Sequence, residues 1–113
     1  MGYNRTMYLT VAQTPLFEKY ASQIWSEEEL DQFIDWIANN PVAGDVIPGG
    51  GGLRKVRWTA AGRGKRGGAR VIYYNVLRSG TIWLLIAYTK AKFDNLPPNL
   101  LKELRNEIVK EKS

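Results

Sequence analysis

Between positions 26 and 39 the chain reads SEEELDQFIDWIAN, and its apolar residues Leu30, Phe33, Ile34 and Ile37 recur at the intervals of one helical face. Ser26 with Glu29 three residues later predicts a capping box, and Glu27 and Glu28 suit the positive end of the helix dipole. Asn39-Asn40 followed by Pro41 predicts the stop. The acids of this helix read as its solvated face. Upstream, Tyr8 to Gln13 alternates around Leu9 and Val11, as a short strand does. Pro15 then opens a helix with Phe17, Tyr20 and Ile24 on roughly one side.

The second half changes period. Leu53 to Thr59 alternates, so Leu53, Lys55 and Arg57 share one face of a strand while Arg54, Val56 and Trp58 share the other. Ala69 to Leu77 reads as a second strand, with Arg70, Ile72, Tyr74 and Val76 on one face. Ser79-Gly80 is a tight-turn signal, so Thr81 to Thr89 returns antiparallel as its hairpin partner. That last run, TIWLLIAYT, is almost continuously apolar, which predicts a central strand covered on both faces. After Pro97 and Pro98, Leu100, Leu101, Leu104 and Ile108 form the buried stripe of a final helix over Asn99 to Lys110. GDVIPGGGG, before the first of these strands, reads as a connector whose glycines supply permissive backbone and allow close approach. Two helices, an antiparallel meander and a closing helix predict an α+β fold. The 113 residues fit one domain without internal repeats. Residues 1–7, MGYNRTM, hold a second methionine and read as an alternative start or a disordered leader.

Composition narrows the chemistry. An apolar fraction of 44% and a charged fraction of 24% belong to an ordinary globular chain. No run approaches the roughly 20 apolar residues of a membrane span, and no secretory leader is visible, so the expectation is a cytoplasmic protein without a membrane partner. With neither cysteine nor histidine, the disulfide scaffold, the zinc site and the histidine-based nucleophile triad are excluded. No metal and no cofactor is expected. The net charge of +5 hides a strong polarity. Met1 to Gly52 carries two basic and seven acidic residues, whereas Leu53 to Lys92 carries ten basic residues and no acid. Such a block attracts a polyanion and neutralises its phosphates.

Within the block, the loop GRGKRGG (Gly62 to Gly68) lacks the nucleotide-binding spacing and precedes a strand instead of a helix. It reads better as a backbone-tracking loop in which Arg63, Lys65 and Arg66 meet nucleic-acid phosphates, with Arg54 and Lys92 as further contacts. Lys55, Arg57 and Arg70 are instead mounted on strands, with Lys90 at a strand end, and a cation in a fixed position suits transition-state stabilisation. RNA cleavage by its own 2'-hydroxyl needs a proton acceptor, positive charge beside the pentavalent phosphorus, and a proton donor for the leaving 5'-oxygen. Arginine clamps phosphoryl oxygens, and crowding by like charges adapts a lysine to acid-base work. The bland alternative is that these residues only bind phosphate. Of the interspersed aromatics Trp58, Tyr73, Tyr74, Trp83, Tyr88 and Phe93, Trp83 is assigned to the core, and Tyr88 and Phe93 are candidates for stacking on unpaired bases.

GGLRKVRW, GRGKRGGARVIYY and LLIAYTKAKFDNL resemble segments of the RelE/HigB superfamily of toxins from type II toxin-antitoxin pairs, nearest to its HigB-type branch. The resemblance runs from about Phe17 to the last helix. It implies a RelE-like microbial ribonuclease fold, with N-terminal helices and a C-terminal helix packed on a curved antiparallel sheet. The implied activity is metal-free, ribosome-dependent endonucleolytic cleavage of mRNA in the 30S A site. The implied partners are the ribosome, mRNA and a cognate antitoxin, with a monomer when free. Residue by residue, the family's paired basic positions before the loop fall on Lys55 and Arg57, its arginine after the loop on Arg70, and its basic position after the last strand on Lys90. The chain departs from some members in carrying Ala91 where another arginine stands and prolines where a tyrosine falls. Lys92 is the candidate replacement cation, and Lys90 or Lys55 the candidate proton acceptor. Two other readings are a non-catalytic RNA- or ribosome-binding module and a DNA-binding regulator. The second is weaker, because the best-defined helix is acidic.

Overall fold

A computed structural model describes residues 9–59, 68–76, 79–89 and 98–112. In chain order the elements are β1 (Thr10–Gln13), α1 (Pro15–Ile24), α2 (Glu27–Asn39), β2 (Asp45–Val46), β3 (Arg54–Trp58), β4 (Ala69–Val76), β5 (Thr81–Tyr88) and α3 (Pro98–Lys112). The capping box at the start of α2 forms as its sequence predicts: Glu29 N–H donates to Ser26 Oγ at 3.1 Å, and Ser26 N–H to Glu29 Oε1 at 2.9 Å. Phe33 and Ile37 of its stripe are fully buried, with Leu30 and Ile34 packed against the same core.

The strands make one five-stranded sheet in the order β1-β5-β4-β3-β2, an α+β arrangement. From β2 to β5 every pairing is antiparallel, as the meander predicts. Two features differ from expectation. Asp45–Val46, in the predicted connector, adds a short edge strand to β3, and β1 pairs parallel with β5, Thr10 opposite Thr81, so the sheet is mixed. Neither strand is long enough to announce its partner by pattern alone.

The sheet separates two cores. On one face Phe17, Ala21, Trp25, Phe33 and Ile37 from the two N-terminal helices meet Val56, Val71, Tyr73, Ile82 and Leu84. On the other, Leu53, Ile72, Leu85, Ile86 and Tyr88 lie with Leu104 of α3, flanked by Leu100 and Leu101. β5 is thus buried on both sides, as its nearly continuous apolar run predicts. α1 contributes to both cores, because Leu16 and Tyr20 turn to the second.

A register shift within β5 decides which of its residues face which core. Ile72 lies opposite Ile86 but Tyr73 opposite Leu84, which leaves Leu85 as an extra residue in β5. Such a bulge reverses the parity of a strand: Ile82 and Leu84 face the first core, Ile86 and Tyr88 the second. The Leu85 carbonyl is taken up by the Thr14 hydroxyl, which donates to it at 2.9 Å. The same Thr14 oxygen accepts from Phe17 N–H at 3.0 Å as the cap of α1. One side chain therefore satisfies a helix end and anchors that helix on the bulge.

Two of the glycines between β2 and β3 are accounted for by packing inside the chain. Gly51 and Gly52 have φ of +67° and +99°, a region that disfavours side chains. A Cβ on Gly51 would stand 2.5 Å from Arg105 Nε, and one on Gly52 2.9 Å from the Tyr74 ring. Arg105 donates from Nε to Gly51 O at 2.6 Å and lies 5.9 Å from the Tyr74 ring centroid, tying α3 to this loop. Among the described residues no helix is long and apolar enough to cross a membrane.

Candidate functional site

The alternation of β3 places Lys55 and Arg57 on the face that carries Leu53. β4 then sets Arg70 directly opposite Arg57, and β5 sets Tyr88 directly opposite Arg70. Arg57, Arg70 and Tyr88 thus form one row across three strands. The adjoining row is Asp45, Lys55, Ile72 and Ile86. The face that is apolar under α3 becomes cationic over its last pleats, next to the ends of β3 and β4 that flank the glycine-rich loop. Arg57 is exposed, while Lys55 and Arg70 are half-buried.

Like charges directly opposite on paired strands repel, at a cost of order 0.2–1 kcal/mol. No ion pair among the described residues relieves Arg57 or Arg70. β3, β4 and β5 carry no carboxylate at all. The arrangement sets two planar forks on one surface, a shape suited to bidentate contact with phosphoryl oxygens. The acid that sequence reasoning left out is Asp45, which β2 brings opposite Lys55. Its signal was weak, because a two-residue strand cannot be read from pattern.

The other cations are distributed unevenly. Arg54 points to the opposite face, in register with Tyr73, and donates from Nη1 to Gly44 O at 2.6 Å and Val42 O at 3.4 Å. It is occupied in holding the segment before β2. Arg63, Lys65 and Arg66, expected to track phosphate, lie outside the described residues, as do Lys90, Lys92 and Phe93. The root of that loop is nonetheless defined: Gly68 N–H donates to Thr59 Oγ1 at 3.1 Å, and a Cβ on Gly68 would collide with Trp58 O and Thr59 Oγ1. Trp58 is fixed in turn by Trp25 and Phe33, at 5.7 and 5.4 Å between ring centroids.

Tyr73 and Tyr88 are buried supports. Tyr88, expected to stack on bases, is 2% exposed in the second core, so no face of its ring is open. Burial pushes its phenol pKa up, and the Arg70 charge opposes that rise. Tyr73 is fully buried on the other face. Its hydroxyl accepts from Gly44 N–H at 2.9 Å and donates to Pro41 O at 3.0 Å. Desolvation raises its pKa, the Gly44 hydrogen bond and the Arg54 charge lower it, and Asp45 raises it. Trp83, assigned to the core, is half-buried against the second cluster.

No family model matches the chain. Among solved structures it is similar to the E. coli toxin RelE in the free state, a double arginine-to-alanine mutant. The TM-score is 0.56 and the identity 14%, over 91% of this chain and 96% of that one. The fold is RelE-like. At that identity the likeness covers the backbone arrangement of helices and sheet, and the RelE-like fold extends over nearly all of both chains. The cationic row on β3 and β4 is a property of this chain's own residues.

Proposed function

We propose that this chain is a toxin of the RelE/HigB kind, closest to the HigB branch, and acts in the cytoplasm as a ribosome-dependent mRNA endoribonuclease restrained by a cognate antitoxin. The observation that carries this reading is the Arg57–Arg70 pair, two guanidinium groups held opposite each other on rigid strands with Lys55 one pleat along. The RelE-like fold and the RelE/HigB-like motifs support it independently.

In the proposed reaction the 2'-hydroxyl of one nucleotide attacks the adjacent phosphorus, its proton passes to a lysine, and the 5'-oxygen leaves with a proton from a second donor. Arg57 and Arg70 would hold the non-bridging oxygens as negative charge grows on them. Charge fixed in place before the reaction favours the transition state over the ground state. Lys55 is the described candidate for proton transfer, and Lys90 is the second on sequence grounds. The ribosome supplies substrate placement in the A site, which a short cationic face lacks. Arg63, Lys65, Arg66 and Lys92 would add phosphate contacts to the ribosomal or messenger RNA.

Arg70→Ala separates catalysis from binding. We expect ribosome association within about tenfold of the parent, about 1.4 kcal/mol, and loss of most mRNA cleavage, on the order of a hundredfold or more. Ribosome co-sedimentation and primer-extension mapping of cleaved mRNA measure the two. A parallel fall in both would make the chain an RNA-binding module instead.

A further inference from the structure

Tyr88 lies beside Arg70 with its ring in the core, a position that serves neither base stacking nor direct contact with substrate. We propose that Tyr88 is a positioning residue: from beneath the surface it fixes the orientation of the Arg70 guanidinium toward the anion site. This rests on the reading of Arg70 as the clamp of an RNA-cleaving site.

Directly opposed residues on antiparallel strands have Cβ atoms about 5 Å apart, and Tyr88 is the β5 partner of Arg70. Its ring is held at 2% exposure among Ile72, Ile86 and Leu104, so it cannot swing away. Arg70 is half-buried, and its charge acts on the phenol, so the two groups are within electrostatic reach. On the other side of Arg70 stands the like charge of Arg57, which drives the two guanidinium groups apart. An arginine with a repelling neighbour on one flank and an immobile aromatic wall carrying a hydroxyl on the other has few orientations left. A clamp for a trigonal-bipyramidal phosphorane needs that restriction, because each added rotamer dilutes the productive one. The row therefore works as a stack of decreasing exposure: Arg57 at the surface, Arg70 between, Tyr88 as the floor.

The test uses Tyr88→Phe, which keeps the ring and removes the hydroxyl, together with Arg70→Ala and the double variant, all as full-length chains. On programmed ribosomes we expect Tyr88→Phe to lower the cleavage rate at saturation about tenfold, with the half-saturating ribosome concentration unchanged within about twofold. In the Arg70→Ala background the second change should have no further effect, since residues acting through one another are not additive. Additive losses, or a Tyr88→Phe rate equal to the parent's, overturn the proposal while leaving the endoribonuclease reading intact. A parent chain that does not cleave mRNA on ribosomes overturns that reading instead. The positioning role is then decided by the NMR order parameter of the Arg70 Nε–H in the folded proteins. A fall in Tyr88→Phe sustains the role, and an unchanged value rejects it.

Discussion

Replacing Arg57 by glutamine should make the free protein more stable. The two guanidinium groups stand on directly opposed residues, with Cβ atoms about 5 Å apart. Mutual repulsion lets the charged ends splay to about 7 Å, where two unit charges interact by about 0.6 kcal/mol in a water-like dielectric and about 2.4 kcal/mol at an effective value of 20. Arg57 is exposed and Arg70 only half-buried, so the lower figure governs. The expected gain is about 0.5–1 kcal/mol, or a rise of about 2–4 °C in Tm for a domain of this size. Scanning calorimetry in roughly 10 mM salt, where screening extends over about 30 Å, should show the full effect. In 1 M salt, where it falls to about 3 Å, the difference should largely disappear. A Tm that drops, or a gain equally large in high salt, would refute the claim that the two charges oppose each other without compensation among the described residues. Under the proposed function the same substitution should also weaken mRNA cleavage, and the stability gained would then measure what the free fold gives up to hold the two arginines side by side.

Other expectations follow from the surrounding structure. Tyr73 and Tyr88 both have phenol pKa values raised by burial above the ordinary 10.0, so the folded chain keeps protons that the unfolded chain releases. Their contribution to stability is complete below pH 10 and is lost as pH rises through the raised values; urea melts from pH 8 to 11 should show that decline, and Tyr73→Phe should flatten it. Gly68→Ala forces the backbone at the root of the basic loop to move, with an expected loss of about 1–3 kcal/mol in denaturant melts. Asp45→Asn removes the carboxylate opposite Lys55 and, under the proposed function, should strengthen association with ribosomes by about a few-fold at low salt, an advantage that salt titration erases.

Local chemistry was legible in the sequence wherever a short window contained all the partners. The capping box needs only Ser26 and Glu29, and the hairpin of β4 and β5 only its turn and two apolar runs. The shared face of Lys55 and Arg57 follows from alternation alone. The opposition of Arg57 and Arg70 needed the register of β3 on β4, which the chain pattern suggests but does not specify. Non-local choices were not legible. β1 chooses a parallel partner 71 positions away, and β2 is two residues long. Tyr88 reads as a surface aromatic near cations until Leu85 shifts the parity of its strand and Leu104 closes over the second core. Arg54 looks like one more phosphate ligand until the carbonyls of Val42 and Gly44 are brought to it.

The parallel pairing of β1 with β5 also sets a timetable. During synthesis from the N-terminus, Thr10 waits until Thr81 has emerged, and Thr14 cannot anchor until Leu85 is free of the exit tunnel. The sheet therefore completes late, with β3 and β4 and their arginines already outside. A nascent chain of this kind exposes its cationic strands to the translating machine before its own architecture is finished.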